Sequence, residues 1–492
     1  MERCIMVQGT MSGAGKSLLV TALCRIFRQD GYRVAPFKSQ NMALNSYITL
    51  DGLEMGRAQV AQAEAAGVEP DVRMNPILLK PSSDTGSQLI VNGKVRGQYQ
   101  AADYFQMKRS LIPEILTAYR SLAEEYDLIV IEGAGSPAEI NLKSDDIVNM
   151  GFAELVNAPV LLVGDIDRGG VFAQLYGTVA LLEAEERCRI VGTIINKFRG
   201  DVSLLESGLA MLEEKTGIPV LGVVPYTQAD IDDEDSLAPR LQVSHTEKAV
   251  DIAVVRFPRI SNFTDFSPLA HHPALGVRYV ARQEALGTPD LVILPGTKST
   301  MHDLLWMRQN GLEAAILKLA SNGTPVLGVC GGYQMLGAKL SDLEEAEDGG
   351  ELAGMGLLPC ETVFAKAKTR TRVRAVTTGI CPGAELDGYE IHMGKTRRMG
   401  GLPFCRLQNG QEDGTVQGTV FGTYLHGLFD TGTLTESLAG WLLTRKGLDA
   451  TKLQIDPRDH YKQRQYDLLA DTVRNSLDIS AIYKAMEAYA HE

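Results

Sequence analysis

Short, unbroken apolar runs recur along this chain and alternate with helix-like segments. In the first half they are CIMVQG, RVAPFKS, DLIVIEG, PVLLVGD, RIVGTIINK and PVLGVVP, and helix-like stretches such as KSLLVTALCRIFRQD and LEMGRAQVAQAEAAG stand between them. Continuous rather than alternating hydrophobicity marks strands buried on both faces, which is the signature of a parallel sheet covered by helices. Around residues 228–250 the pattern lapses into the acidic stretch QADIDDEDSLAPRLQVSHTEKAV. It restarts with DIAVVRFP, DLVILPG and TPVLGVC. The fold class expected is therefore α/β: two doubly wound, mainly parallel-sheet domains with a helical C-terminal tail. The boundaries drawn are 1–235 for the first domain, 236–250 for a linker, 251–438 for the second domain and 439–492 for the tail. At 492 residues the chain is long enough for two full cores.

The first apolar run leads into 9-GTMSGAGKS-17. A glycine-rich bend between a strand and a helix aims backbone N–H groups and the helix N-terminus at an anion. The loop residues Thr10, Gly13, Ala14 and Gly15 would cradle nucleotide phosphates, Lys16 would reach the terminal ones, and the Ser17 hydroxyl would bind Mg²⁺. Five residues rather than four separate Gly9 from Gly15, so the loop is a variant of the usual spacing. Glu132, after the strand DLIVI, is placed to face a metal at the sheet's C-terminal edge. Asp51 is a second candidate ligand, although an Asp-Gly pair also suits a plain turn. Asn196 ends another strand, from which its amide could read an adenine edge. ATP and Mg²⁺ are the cofactors expected.

The second half centres on 326-VLGVCGGYQMLG-337. Its quintet GVCGG has the glycine spacing of a nucleophile elbow, a strained strand-to-helix turn that exposes one side chain. A thiol at a helix N-terminus has a depressed pKa and so more thiolate. Cys330 is read as the nucleophile, with the Gly331 N–H as one oxyanion donor and the turn PGTKST, at Gly296, as the other. His426, in GTYLHGLFD, is the base.

Residues 251–438 resemble a class I glutamine amidotransferase domain, and residues 1–235 resemble the dethiobiotin-synthetase-type ATPase fold. Their fusion in this order is similar to the cobyric acid and cobyrinic acid a,c-diamide synthases of cobalamin biosynthesis. The segments 38-KSQNMALNS-46, 74-MNPILLKP-81, 132-EGAGSPAEIN-141 and 165-DIDRGGVFAQ-174 resemble the cobyric acid synthases in particular. The resemblance implies ATP- and glutamine-dependent amidation of the b, d, e and g carboxylates of adenosylcobyrinic acid a,c-diamide, by way of acyl phosphates and ammonia from glutamine. Lys38, Ser39, Gln40, Asn41, Asn45, Asp165, Asp167 and Arg168 are the candidates to meet the corrinoid carboxylates and the transferring phosphoryl group. In class I amidotransferases a glutamate usually follows the histidine by two residues. Leu428 occupies that place here, so the third member of the triad stays open, with Glu390 of 388-GYEIHMG-394 as a candidate. The nearer alternative is the a,c-diamide synthase. The farther one is a partitioning-type ATPase with a decayed amidotransferase domain, against which the intact elbow and His426 argue.

A net charge of −13 argues against nucleic-acid or anionic-membrane partners. The seven cysteines are scattered, without metal-ligand spacing, as expected of reduced thiols. No signal-peptide layout or membrane-length apolar run is present, so a cytoplasmic enzyme is expected. Its partners would be glutamine and a corrinoid, and a homo-oligomer is left open.

Overall fold

The six apolar runs of the first half assemble into one all-parallel sheet in the order Val220–Pro225, Ile190–Phe198, Val160–Asp165, Cys4–Gly9, Leu128–Glu132, Val34–Phe37. The computed structural model describes residues 3–82, 85–232, 239–242, 247–347, 349–449 and 458–491. These form two compact units, the first made of residues 1–43, 54–232 and 461–492, the second of residues 44–53 and 233–460. Part of the linker expected at 236–250 lies outside the described residues. Among the described residues no helix is long and apolar enough to cross a membrane.

In the first unit the central strands are buried on both faces, which is why they read as continuous apolar runs. A second, four-stranded sheet runs Gln40–Met42, Ile77–Pro81, Gly86–Val91, Lys94–Gln100. The sequence reading did not foresee it. Its edge strand, KVRGQYQ, is largely exposed and polar and so carries no hydrophobic signal.

The C-terminal residues are helical, as expected, but they do not form a separate tail. The helix Thr433–Arg445 closes the second unit and buries Leu438 and Leu442 in its core. From Tyr461 onward the chain belongs to the first unit. There the helices Arg458–Arg474 and Ile479–His491 contribute Leu469, Val473, Ile482 and Met486, and the turn between them Leu477, to the core around Leu19, Leu23 and Phe27. Arg25, on the helix that follows the phosphate loop, donates to Asp467 and Gln463, each at 2.7 Å.

The second unit holds a six-stranded sheet ordered Leu275–Val280, Val250–Val255, Leu291–Leu294, Val326–Val329, Val420–Thr423, Thr415–Gln417, parallel except for the last strand. A further, mostly antiparallel sheet is built on the long hairpin of Cys360–Thr377 and Glu385–Arg398, and the short strand Leu425–His426 joins it.

Because Leu469 is fully buried between these C-terminal helices and the helix Lys16–Gln29, Leu469→Ala should destabilise the first unit by about 2–5 kcal/mol. Denaturant unfolding checks this, and an unchanged midpoint would show that the C-terminal helices are not part of that core.

Candidate active sites

In the first unit the phosphate loop is shaped by close approach. Gly15 has a left-handed φ of 99° and precedes the helix Lys16–Gln29, and a Cβ there would sit 2.1 Å from the Asn196 amide. Only glycine meets both demands. The Asn196 Nδ2 donates to the Ala14 carbonyl at 2.9 Å, and the Lys197 ammonium donates to the Gly13 carbonyl and to Asp165. Thr10 is fixed by its N–H on Val163 and its hydroxyl on Gln174. The buried Lys16 ammonium donates to the Met11 carbonyl of the loop at 3.1 Å and to the Gly135 carbonyl, beyond the strand Leu128–Glu132, at 2.9 Å.

Glu132 is the centre of this site. It is 1% exposed, and its carboxylate accepts from Ser17 Oγ (2.8 Å), Lys38 Nζ (2.8 Å) and Gln62 Nε2 (2.5 Å). A carboxylate buried this far is tolerable only when surrounded by donors and opposite charge. Sequence reasoning missed Gln62. It lies within the alanine-rich helix Arg57–Ala66, where a glutamine is an ordinary helix residue.

Of the other expected residues, Ser39 donates to the Ile147 carbonyl, Gln40 accepts from Tyr104, and Asn41 donates to Gln59. Asp165 is fully buried and caps the N–H of Asp167, which in turn accepts from Arg199, while the Arg168 side chain is 64% exposed beside it. Asn45 is buried in the second unit. Asp51 also belongs to the second unit, where its carboxylate accepts the Thr49 hydroxyl in a turn. The structure therefore brings Ser17 and Glu132 together but does not add Asp51 to them within one unit. Among the described residues there is no group of three or more acidic, histidine or cysteine side chains that could hold a metal ion. One carboxylate and one hydroxyl suit Mg²⁺, which keeps most of its coordination for water and phosphate oxygens.

In the second unit Cys330 sits at the end of the strand Val326–Val329 and caps the helix Gly331–Leu336 with φ 52° and ψ −107°. A non-glycine residue in that region is strained and persists only because its surroundings hold it. The packing is tight: a Cβ on Gly332 would meet the Leu294 carbonyl at 1.9 Å, and one on Gly328 the Tyr333 nitrogen at 2.6 Å. The Cys330 N–H donates to the Thr423 carbonyl, and the thiol lies 3.6 Å from the Ile391 carbonyl. Gly331 opens the helix, so its N–H has no partner within that helix. Gly296 lies close to the imidazole, since a Cβ there would be 3.0 Å from His426 Cε1.

His426 is buried, with the Cys330 side chain among the groups that act on its charge. Its Nδ1 is held at 2.6 Å by Asp265 Oδ2, and Asp265 Oδ1 accepts the Gly427 N–H at 3.0 Å. The third member of the triad is thus Asp265, and Glu390 is not on the histidine: its strand neighbour is Leu425, while Tyr389 pairs with His426. Burial and the nearby Asp413 push the Glu390 carboxyl up to about 7. Burial alone would lower the His426 pKa, but the Asp265 carboxylate and the Cys330 sulfur outweigh it and raise it to about 10. His426 is therefore held as an imidazolium between the Asp265 carboxylate and the Cys330 sulfur, placed to exchange a proton with the reacting groups.

Residues 251–434 match the CobB/CobQ-like glutamine amidotransferase domain, and residues 5–239 match the CobQ/CobB/MinD/ParA nucleotide binding domain. Fold, loop and triad together define a nucleotide-binding domain fused to a glutamine amidotransferase. The chain is similar over nearly its whole length to cobyric acid synthases. That of Lachnoclostridium phytofermentans is 56% identical over 99% of both chains, that of Ruminiclostridium cellulolyticum 56% over 99% of this chain and 98% of the relative, and that of Photorhabdus laumondii 54% over the same shares. The chain belongs to the cobyric acid synthase family.

Asp265→Asn should lower glutamine-dependent turnover on the order of a thousand-fold, because the neutral amide no longer fixes the tautomer or stabilises the imidazolium. The stability effect has a defined sign. The folded pKa of His426 is raised, so its pairing contributes fully below the unfolded value of about 6.5 and is lost as pH rises through about 10. Melting temperatures of wild type and Asp265→Asn should therefore differ most near pH 6 and converge above pH 10.

Proposed function

We propose that the protein amidates the b, d, e and g carboxylates of adenosylcobyrinic acid a,c-diamide to give adenosylcobyric acid, using ATP and glutamine. The observation that carries this reading is near-full-length identity of 54–56% to cobyric acid synthases, combined with an intact elbow, histidine and phosphate loop.

At the second unit the Cys330 thiolate attacks the glutamine carboxamide carbon. The oxyanion that forms is held by the Gly331 N–H and by the turn at Gly296. His426 gives its proton to the departing nitrogen, releasing ammonia and leaving a γ-glutamyl thioester. It then takes a proton from the water that cleaves that thioester to glutamate. Asp265 keeps the imidazole in the orientation both steps require.

At the first unit a corrinoid carboxylate oxygen attacks the terminal phosphorus of ATP, giving an acyl phosphate and ADP. Ammonia then displaces phosphate to form the amide. Lys16 carries the positive charge that the loop offers to the transferring phosphoryl group. Ser17 and Glu132 would hold Mg²⁺, which when bound neutralises charge on the phosphate oxygens. Lys38, already on Glu132, brings a second cation to the same place. Ser39, Gln40, Asn41, Asn45, Asp165, Asp167 and Arg168 remain the residues proposed for the corrinoid side.

Mass spectrometry of the corrinoid after incubation with ATP, Mg²⁺ and glutamine tests the assignment. Four new amides on the a,c-diamide are expected, whereas an inert a,c-diamide with turnover of cobyrinic acid would favour the a,c-diamide synthase. Cys330→Ser should lose the glutamine-dependent reaction yet amidate with ammonium salts, increasingly so toward pH 9 as more ammonia is free base. Lys16→Ala should lose both.

A further inference from the structure

The segment 38-KSQNMALNS-46 does not stay in one unit: residues through Ala43 belong to the first, and residues 44–53 belong to the second. Its leading residues serve the nucleotide site, with Lys38 on Glu132 and Asn41 on Gln59. Its trailing residues are as deeply engaged with the triad. Ser46 and Ile48 are 1% and 0% exposed. The Ser46 carbonyl accepts from Asn262 Nδ2 and from Tyr389 Oη, each at 3.0 Å, and Asn262 Nδ2 also reaches Tyr389 Oη at 2.8 Å.

Each of these partners supports a member of the triad. Asn262 has a left-handed φ of 52° and starts the 3-10 turn Phe263–Phe266, accepting the Asp265 N–H at 3.0 Å. The Tyr389 ring stacks on His426, with centroids 5.5 Å apart and planes at 25°. Ile48 packs with Tyr389 and Ile391, and the Ile391 carbonyl is the one that meets the Cys330 thiol. Tyr47 adds an edge contact to Tyr389 at 5.4 Å and accepts from Arg372.

We propose that Ser46–Ile48 is a positioning element of the glutaminase triad, and that through it glutamine hydrolysis responds to ATP and corrinoid at the nucleotide site. The inference rests on the proposed function for the identity of those ligands. The physical basis is a buried polar network in which one backbone carbonyl satisfies two donors. Withdrawing that carbonyl would cost the Asn262 amide and the Tyr389 hydroxyl one hydrogen bond each, a costly loss for buried groups. Asn262 would also lose part of what holds it in the left-handed region, and Asp265 would move with it. A segment whose other end carries Lys38 is placed to make that adjustment when the nucleotide site fills.

The test uses the full-length chain and measures glutamate release with and without ATP and the a,c-diamide. Wild type should hydrolyse glutamine faster when both are present. Tyr389→Phe keeps the ring on His426 but removes the hydroxyl. Asn262→Gly keeps the left-handed backbone but removes the amide. Each should lower kcat for glutamine about tenfold, the order expected of one lost hydrogen bond to a buried partner, with KM changed less than kcat. Each should also bring the stimulation ratio close to one while amidation from ammonium continues. A merely structural role would lower the melting temperature and leave the ratio as in wild type. An unchanged ratio in both variants, or a wild type with no stimulation, overturns the proposal. Failure of the wild type to amidate even with ammonium would instead overturn the proposed function.

Discussion

A parallel sheet delivers the carboxyl ends of all its strands to one edge, and both reactive centres of this protein follow from that constraint. In the first unit the strand Cys4–Gly9 opens into the phosphate loop, Leu128–Glu132 ends on the buried carboxylate that Ser17 and Lys38 meet, and Val160–Asp165 ends on the acid that holds Lys197. In the second unit the strands Leu291–Leu294 and Val326–Val329 end on the glycine turn and on Cys330. Helices must start immediately after such strands, so the chain turns sharply there. Gly15 and Cys330 both take up positive φ to do so.

Two buried carboxylates then organise what the strands deliver. Glu132 gathers a hydroxyl, an ammonium and an amide from three separate segments of the first unit. Asp265 gathers the imidazole and the Gly427 N–H in the second. In each case burial makes an unpaired charge expensive, so the donors are held in one geometry rather than sampling several. Pre-positioned charge is what each half-reaction needs. One must offset phosphate charge, and the other must keep a sulfur nucleophile and its proton donor side by side.

The motifs built on local sequence were legible from the start. The phosphate loop, the elbow, the parallel strands and the late histidine each announce themselves within ten residues, because backbone strain demands glycine and buried strands demand apolar runs. What escaped was set by tertiary contact. Asp265 precedes His426 by 161 positions and sits in NFTDF, a stretch with no motif. The position two after the histidine, where a carboxylate was sought, holds the fully buried Leu428, a core residue. Asp51 was open to two readings, a ligand or a plain Asp-Gly turn, and its carboxylate accepts the Thr49 hydroxyl within such a turn. The last helices read as a tail because their apolar stripes do not say which core they cover, and the packing of Leu469 and Val473 beside Phe27 decides it.

In the proposed reaction the strained cysteine on this edge, and none of the six others in the chain, carries the glutamyl group. Rapid acid quench of the enzyme turning over glutamine, followed by peptide mass mapping, reads that directly. A hydroxylamine-labile glutamyl adduct on the peptide that contains Cys330 is the expected result. Turnover with no adduct in the wild type, or with an adduct on a different cysteine, would contradict the account.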